Sequence, residues 1–247
     1  MLLILSIFPG LDLLGRAFEE VFEGRASVVR GPDPIWGGDI LQFKVPPGVF
    51  QGIIGGPPCQ MYSPFGALNA HRGYAPTYGN LIPEFERCVA EAQPDWFIME
   101  EVERAPVPRV PGYKVFHQVV SNRNLGDVQN RVRRISFGTP EGAPLRLQYL
   151  SPPARNARTV TAGSGGGKIA RNSYSVADAC RLQGLPADFM DKTPFTVQGK
   201  VRAVANGVPM SMGRAIAKGV MAYLDLKALR SHLSEGGRRA ATRVSEE

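Results

Sequence analysis

Gly55-Gly56-Pro57-Pro58-Cys59-Gln60 follows an apolar run, residues 49–54, that reads as a buried strand. Two glycines let the backbone come close to a ligand, and two prolines stiffen the turn. Ligands in open α/β sheets bind outside the carboxyl ends of the strands, so a cysteine on a rigid loop at that point is placed like a nucleophile. Alone, the six residues also describe an ordinary Gly-Pro turn with an incidental thiol. The segments on either side have to decide.

Working outward, residues 2–8 read as a first strand and residues 12–23 as a helix, with Leu14, Phe18, Val21 and Phe22 as its apolar stripe and Gly24 at its end. Further strands are expected at 26–29, 50–54, 95–99, 115–120 and 132–137. A helix at 83–93 carries Phe85, Cys88, Val89 and Ala92 on one face and stops at Pro94. This alternation predicts a mostly parallel sheet with helices on its faces. From 138 to 172 the chain turns to Pro, Gly, Arg and Ser with little periodicity. Ser175 opens a helix to Leu182 with Asp178 as its capping-box partner, and Ser211 caps a last long helix. Beyond Leu233 the tail has few apolar residues and is expected to be disordered. The expected division is an α/β domain at 1–137, a small irregular subdomain at 138–183, a return to the first domain at 184–232, and the tail at 233–247.

A chain of 247 residues can bury a sizeable core, and 43% hydrophobic with 21% charged residues is ordinary for a soluble globular protein. Cys59, Cys88 and Cys180 have no paired spacing, which argues against a disulfide framework or a zinc site and suits a reducing cytoplasm. Residues 1–8 lack the basic start and small-residue cleavage site of a signal peptide, and no run is long enough to span a bilayer. Net charge is +7, yet residues 104–171 hold twelve Lys and Arg against only Asp127 and Glu141. That stretch alone is +10, as expected of a surface that meets a phosphate backbone; a merely solubilising face is the alternative.

GGPPCQ resembles the catalytic signature of the cytosine-5 DNA methyltransferases, and other motifs of that family follow in its order. Phe97-Ile98-Met99-Glu100-Glu101-Val102 is similar to the family's Glu-Asn-Val, with Glu101 in place of the asparagine. Gln129-Asn130-Arg131-Val132-Arg133 is similar to its Gln-x-Arg-x-Arg, and strand alternation puts Arg131 and Arg133 on one face. The resemblance implies a Rossmann-like class I fold dependent on S-adenosylmethionine, with S-adenosylhomocysteine as product. It implies Cys59 as nucleophile, Glu100 bonded to N3 of the cytosine, and Arg131 and Arg133 divided between orienting the glutamate and cysteine and bonding the base at O2. Glu101 is expected to point outward as a solvated acid.

For the cofactor, Phe8-Pro9-Gly10-Leu11-Asp12 resembles the family's Phe-x-Gly-x-Gly turn, with Asp12 in place of the second glycine. Asp12 either bonds the cationic methionine end or caps the helix. Asp33 is the candidate for the ribose hydroxyls. Asp39 and Ile40 resemble the adenine contact, and Trp36 either stacks on adenine or is a core aromatic. Pro57, Leu81, Asn206 and Val208 complete the implied set, the last two from Ala205-Asn206-Gly207-Val208-Pro209, which resembles the family's Gly-Asn-x-Val.

The expected partner is double-stranded DNA, with the target cytosine flipped from the stack. Gln60, Ser63, Gln129, Arg158, Thr161, Ser164, Gly165, Gly166 and Lys168 are the candidate contacts. Only about thirty-seven residues separate Phe137 from Ser175, so a recognition site of about two or three base pairs is expected. A monomeric, cytoplasmic, stand-alone modifying enzyme of phage type fits so small a module. An RNA (tRNA) cytosine-5 methyltransferase and a catalytically inactive DNA-binding relative stay open, and a cysteine hydrolase is disfavoured because His71, His117 and His232 sit in no matching motif.

Overall fold

A computed structural model describes residues 1–58, 60–62, 79–162 and 174–244. Among them, β1 (Leu2–Ile7), α1 (Leu13–Phe22), β2 (Ala26–Arg30), β3 (Gly52–Gly55), α2 (Ile82–Ala92), β4 (Trp96–Glu101), β5 (Lys114–Ser121), β6 (Val132–Thr139), α3 (Val176–Leu182), α4 (Val197–Asn206) and α5 (Met210–Val244) follow one another along the chain. The sheet order is β2-β1-β3-β4-β6-β5. The pairings β1–β2, β1–β3 and β3–β4 are parallel, while β6 runs antiparallel to both its neighbours, β4 and β5. The expected mostly parallel α/β sheet is thus present, with one reversed strand. No helix among the described residues is long and apolar enough to cross a membrane.

The central strands are covered on both faces. On one side α1 and α5 bring Phe18, Phe22, Ile216 and Val220 against Ile4, Ile54, Trp96 and Ile98. On the other, α2 brings Phe85, Cys88 and Val89 against Leu5, Ile53, Phe97 and Met99. Two successive aromatics of β4 need room, and the neighbouring strands supply it with glycine. Gly52 of β3 is the register partner of Trp96, and Gly138 of β6 is the partner of Phe97. A Cβ at either glycine would overlap the facing ring.

A third apolar cluster joins Val160, Cys180, Leu185, Met190, Val201, Val204 and Met210 to Leu13 and Ala17 of α1. The segments on either side of residue 183 therefore share one core. Two expectations need correction. Helix α4 was not read from the sequence, since Gly199 and the polar Gln198, Lys200 and Arg202 blur its apolar periodicity; it forms because Thr196 caps it at Gly199 N and Val201 and Val204 are buried. The tail does not become irregular at Leu233, because α5 continues to Val244: Ala and Arg are strong helix formers, and helix grows more readily than it starts.

Gly138→Val should lower the unfolding free energy by about 1–3 kcal/mol, because the Phe97 ring has nowhere to move. Urea denaturation with an unchanged slope would check it.

Candidate active site

Four loops leave the carboxyl edge of the parallel strands: residues 8–12 after β1, 31–40 after β2, one beginning at 56–58 after β3, and 102–105 after β4. Because β6 is antiparallel, its start lies at this same edge, with Arg134 opposite Glu101 and Ile135 opposite Glu100. Reversal of one strand is what brings the Gln-x-Arg-x-Arg segment to the carboxylates. Arg133 Nε lies 2.8 Å from Glu100 Oε1, with Glu100 buried and Arg133 largely so. The loop after β3 starts against the same carboxylate, since a Cβ on Gly56 would stand 3.0 Å from Glu100 Oε2. Cys59, Ser63, Ser164, Gly165, Gly166 and Lys168 lie outside the described residues, as does the side chain of Gln60. The other two cysteines are buried, Cys88 with its thiol pushed up to about 11 by burial and Cys180 raised by the same cause. Neither is poised to be a thiolate nucleophile.

Glu101 does not point outward. It is 2% exposed, and its Oε2 accepts the Val102 N–H at 2.9 Å. Alternation sends Glu100 and Glu101 to opposite faces of β4, and because this central strand is covered on both faces, neither side chain reaches bulk water. Arg131 is also buried and donates to Ala205 O at 3.0 Å, at the end of α4. The two arginines of the motif thus have different directions, Arg133 towards Glu100 and Arg131 towards the segment that precedes Asn206.

At the neighbouring edge, the turn after β1 is held by the segment after β2. Gly10 N donates to Asp33 Oδ2 at 2.9 Å, and Gly10 O accepts from Trp36 Nε1 at 2.9 Å. Asp33 also caps the short 3-10 turn Pro34–Trp36 through Ile35 N. Trp36 is not a core aromatic: it is 58% exposed, with its ring 6.0 Å from that of Phe195. Phe8 and Gly10 both have positive φ, and Pro9 and Leu11 are half-buried. Asp39 is exposed and accepts from Leu41 N, whereas Ile40 is buried beside Val45 and Phe50. Pro57 is buried, Leu81 half-buried at the start of α2, Asn206 exposed and Val208 buried. Gly207 lets this last loop press on α1, since a Cβ there would overlap Leu13.

Asp12 is the N-cap of α1, in the left-handed conformation (φ 56°), and accepts from Gly15 N. Ser6 Oγ donates to its Oδ1 at 2.7 Å and Arg30 Nε to its Oδ2 at 2.8 Å. Of the two roles expected for Asp12, the cap is the one formed, and both oxygens are engaged by the protein. Burial pushes its carboxyl above the usual aspartate range, against the pull of these donors.

Gln129 is not a surface group that could reach DNA. It is fully buried, with Nε2 donating to Leu182 O and Gln183 Oε1 and with Oε1 accepting Val160 N. Arg158 is exposed and Thr161 half-buried, at the end of the described part of this segment. The basic stretch is only partly a face for solvent: Arg123 is bound to Pro153 O and Arg155 O, and Arg131, Arg133 and Arg134 are held by Ala205 O, Glu100 and Ala105 O. Gln183 escaped the sequence reading because a glutamine before Gly184 looks like an exposed helix end; it is fully buried.

The family model for C-5 cytosine-specific DNA methylases matches residues 37–108. Type II methyltransferase M.DdeI of Desulfomicrobium norvegicum is 32% identical over 120 residues, which are 42% of this chain and 28% of that protein. Type II methyltransferase M.NgoPII of Neisseria gonorrhoeae is 30% identical over 145 residues, 53% of this chain and 38% of that protein. The match thus spans well under half of either relative. Among solved structures, the S. pombe Dnmt2 methyltransferase superposes with a TM-score of 0.64 at 11% identity, covering 90% of this chain and 99% of that one. Sheet order and this likeness show a Rossmann-like α/β fold. More narrowly, residues 37–108 and the stretches shared with these relatives are similar to C-5 cytosine-specific DNA methylases and Type II methyltransferases.

Asp12→Ala should lose about 2–3 kcal/mol of stability, the cap plus the strain of a left-handed alanine, while Asp12→Asn keeps the cap, tolerates the conformation and loses less. A raised folded carboxyl binds its proton more tightly than the unfolded one. Its contribution is therefore full below the unfolded value, about pH 3.9, and fades as pH rises through the folded value. Denaturation curves from pH 4 to 7 should show that fading in the native protein and not in Asp12→Asn.

Proposed function

We propose that this protein is an S-adenosylmethionine-dependent DNA (cytosine-5-)-methyltransferase. The observation that carries the proposal is the buried Glu100–Arg133 pair at 2.8 Å, set against the start of the loop that bears Cys59. A carboxyl and a guanidinium held together in a largely dry edge, near where the Gly56 loop begins, suit addition of a nucleophile to a ring whose developing charge must be bound, with Cys59 three residues further along the sequence as that nucleophile.

The cofactor edge fits S-adenosylmethionine. It offers a clasped Gly10 turn at the start of α1, an exposed indole at Trp36 beside Phe195, and the Asn206–Val208 loop against Leu13. Phe8, Pro9, Gly10 and Leu11 would hold the methionine end, with Asp12 fixing the turn rather than touching the ligand. Asp33, Trp36, Asp39, Ile40, Pro57, Leu81, Asn206 and Val208 would hold the nucleoside. When bound, the cofactor supplies an electrophilic methyl group for C5 of the activated base.

The chain's own groups do the rest. A flipped cytosine enters the edge, the Cys59 thiolate adds to C6, and electron density moves to C5 and towards N3 and O2 of the ring. Glu100 holds a proton at N3, and Arg133 keeps the Glu100 carboxyl in place while an arginine of the motif bonds O2. Removal of the C5 proton by a base then expels Cys59 and restores the aromatic ring. Duplex DNA is the proposed partner of a monomer, read over a short site by the segment from Arg158 onward, with Gln60 and Ser63 on the catalytic loop side.

Labelled S-adenosylmethionine and unmethylated duplex DNA, followed by bisulfite sequencing, provide the test. Transfer should be confined to cytosines in a short context, vanish in Cys59→Ala, and fall by about 10²-fold or more in Glu100→Gln. Transfer to tRNA alone would replace the DNA reading, and cofactor binding without transfer to either would mark an inactive relative. Of the two tryptophans, Trp96 is fully buried and Trp36 exposed. Titration with S-adenosylhomocysteine should therefore change the emission of Trp36, and the response should disappear in Trp36→Phe.

A further inference from the structure

Gln129 and Gln183 make a continuous chain of side-chain amides through the interior. Val160 N donates to Gln129 Oε1 at 2.8 Å, and Gln129 Nε2 donates to Gln183 Oε1 at 3.2 Å. Gln183 Nε2 donates in turn to Val204 O at 2.8 Å and to Gly207 O at 3.0 Å. The second proton of Gln129 Nε2 goes to Leu182 O at 2.9 Å. Every amide proton and both carbonyl oxygens are thereby used, and both side chains are fully buried. Turning either amide over would set donor against donor at one end and acceptor against acceptor at the other, so only one arrangement is satisfied.

The ends of this chain are functionally distinct. Val160 lies between Arg158 and Thr161, in the segment read above as target recognition, and Gly207 lies between Asn206 and Val208, in the loop read as cofactor contact. Around the amides, Met210 N donates to Gln183 O, and Ala157 pairs with Gln129 in an isolated bridge. Neither glutamine is exposed, so neither can touch DNA or cofactor.

We infer that Gln129 and Gln183 are positioning residues that couple the recognition segment to the cofactor loop, so that DNA and cofactor each strengthen binding of the other. The inference rests on the methyltransferase reading. A shift of Val160 towards DNA is felt at Gln129 Oε1, and the amide pair follows it by moving the Val204 and Gly207 carbonyls, to which the Gln183 amide protons are committed. Linkage makes the effect reciprocal.

The test is a binding cycle with the full chain, S-adenosylhomocysteine and a short unmethylated duplex. In the wild type, saturating duplex should raise the affinity for S-adenosylhomocysteine by roughly fivefold or more, with the same factor in the reverse direction. Gln183→Glu keeps the size and the acceptor facing Gln129 but loses both donors. It should reduce the factor to about twofold or less while each ligand alone still binds. A merely structural role would lower both affinities and leave the coupling factor unchanged, which would overturn the inference. If that variant does not fold, amide exchange in the wild type decides. S-adenosylhomocysteine alone should slow exchange at Val160, and an unchanged Val160 with the ligand bound would overturn the coupling. Independent binding of both ligands defeats the coupling only, whereas failure of the wild type to bind either would defeat the methyltransferase reading beneath it.

Discussion

The contact on which the edge depends is the ion pair between Glu100 and Arg133. Both side chains are largely withdrawn from water, so removing one would strand the charge of the other at a cost of about 3–5 kcal/mol. The pair exists because β6 runs against β4, which turns the beginning of β6 towards the carboxyl ends of the parallel strands. That pairing in turn needs Gly138, whose missing side chain admits the Phe97 ring. A packing requirement in the middle of the sheet thus fixes the position of a polar pair at its edge.

Around this pair the chain builds rigidity from buried polar groups rather than from regular structure. Asp33 and Trp36 grip the two ends of the Gly10 peptide, and Asp12 is held by Ser6, Arg30 and the start of α1. Most of these groups come from loops that carry no ladder hydrogen bonds of their own, so side chains must satisfy the backbone. The same demand explains Gln129 and Gln183 beneath the segment around Val160. In each case a polar residue placed between segments distant in sequence takes up donors and acceptors that would otherwise be buried unpaired.

The departures from the pattern of the family that the motifs resemble have physical answers. Aspartate tolerates the left-handed conformation that a glycine would favour at residue 12, and its side chain then caps α1 in place of free backbone. Glu101 occupies an enclosed position because a central strand covered on both faces has no outward direction. Much of the basic excess is spent on carbonyls and on Glu100, so charge counted along the chain overstates the charge offered to solvent.

The sequence by itself determined the strand and helix order of the first 137 residues, the apolar stripes of α1 and α2, and the motifs that resemble those of the cytosine-5 DNA methyltransferases. These depend on neighbours within a few positions, where periodicity and capping act. Only the tertiary structure decided the reversal of β6, the inward Glu101, the exposed Trp36, the helix at Val197–Asn206 and the burial of Gln129 and Gln183. Each of those depends on which distant segment covers a residue. A glutamine or glutamate looks the same in sequence whether water or a carbonyl fifty residues away completes its hydrogen bonds, and only the packed chain supplies the second partner.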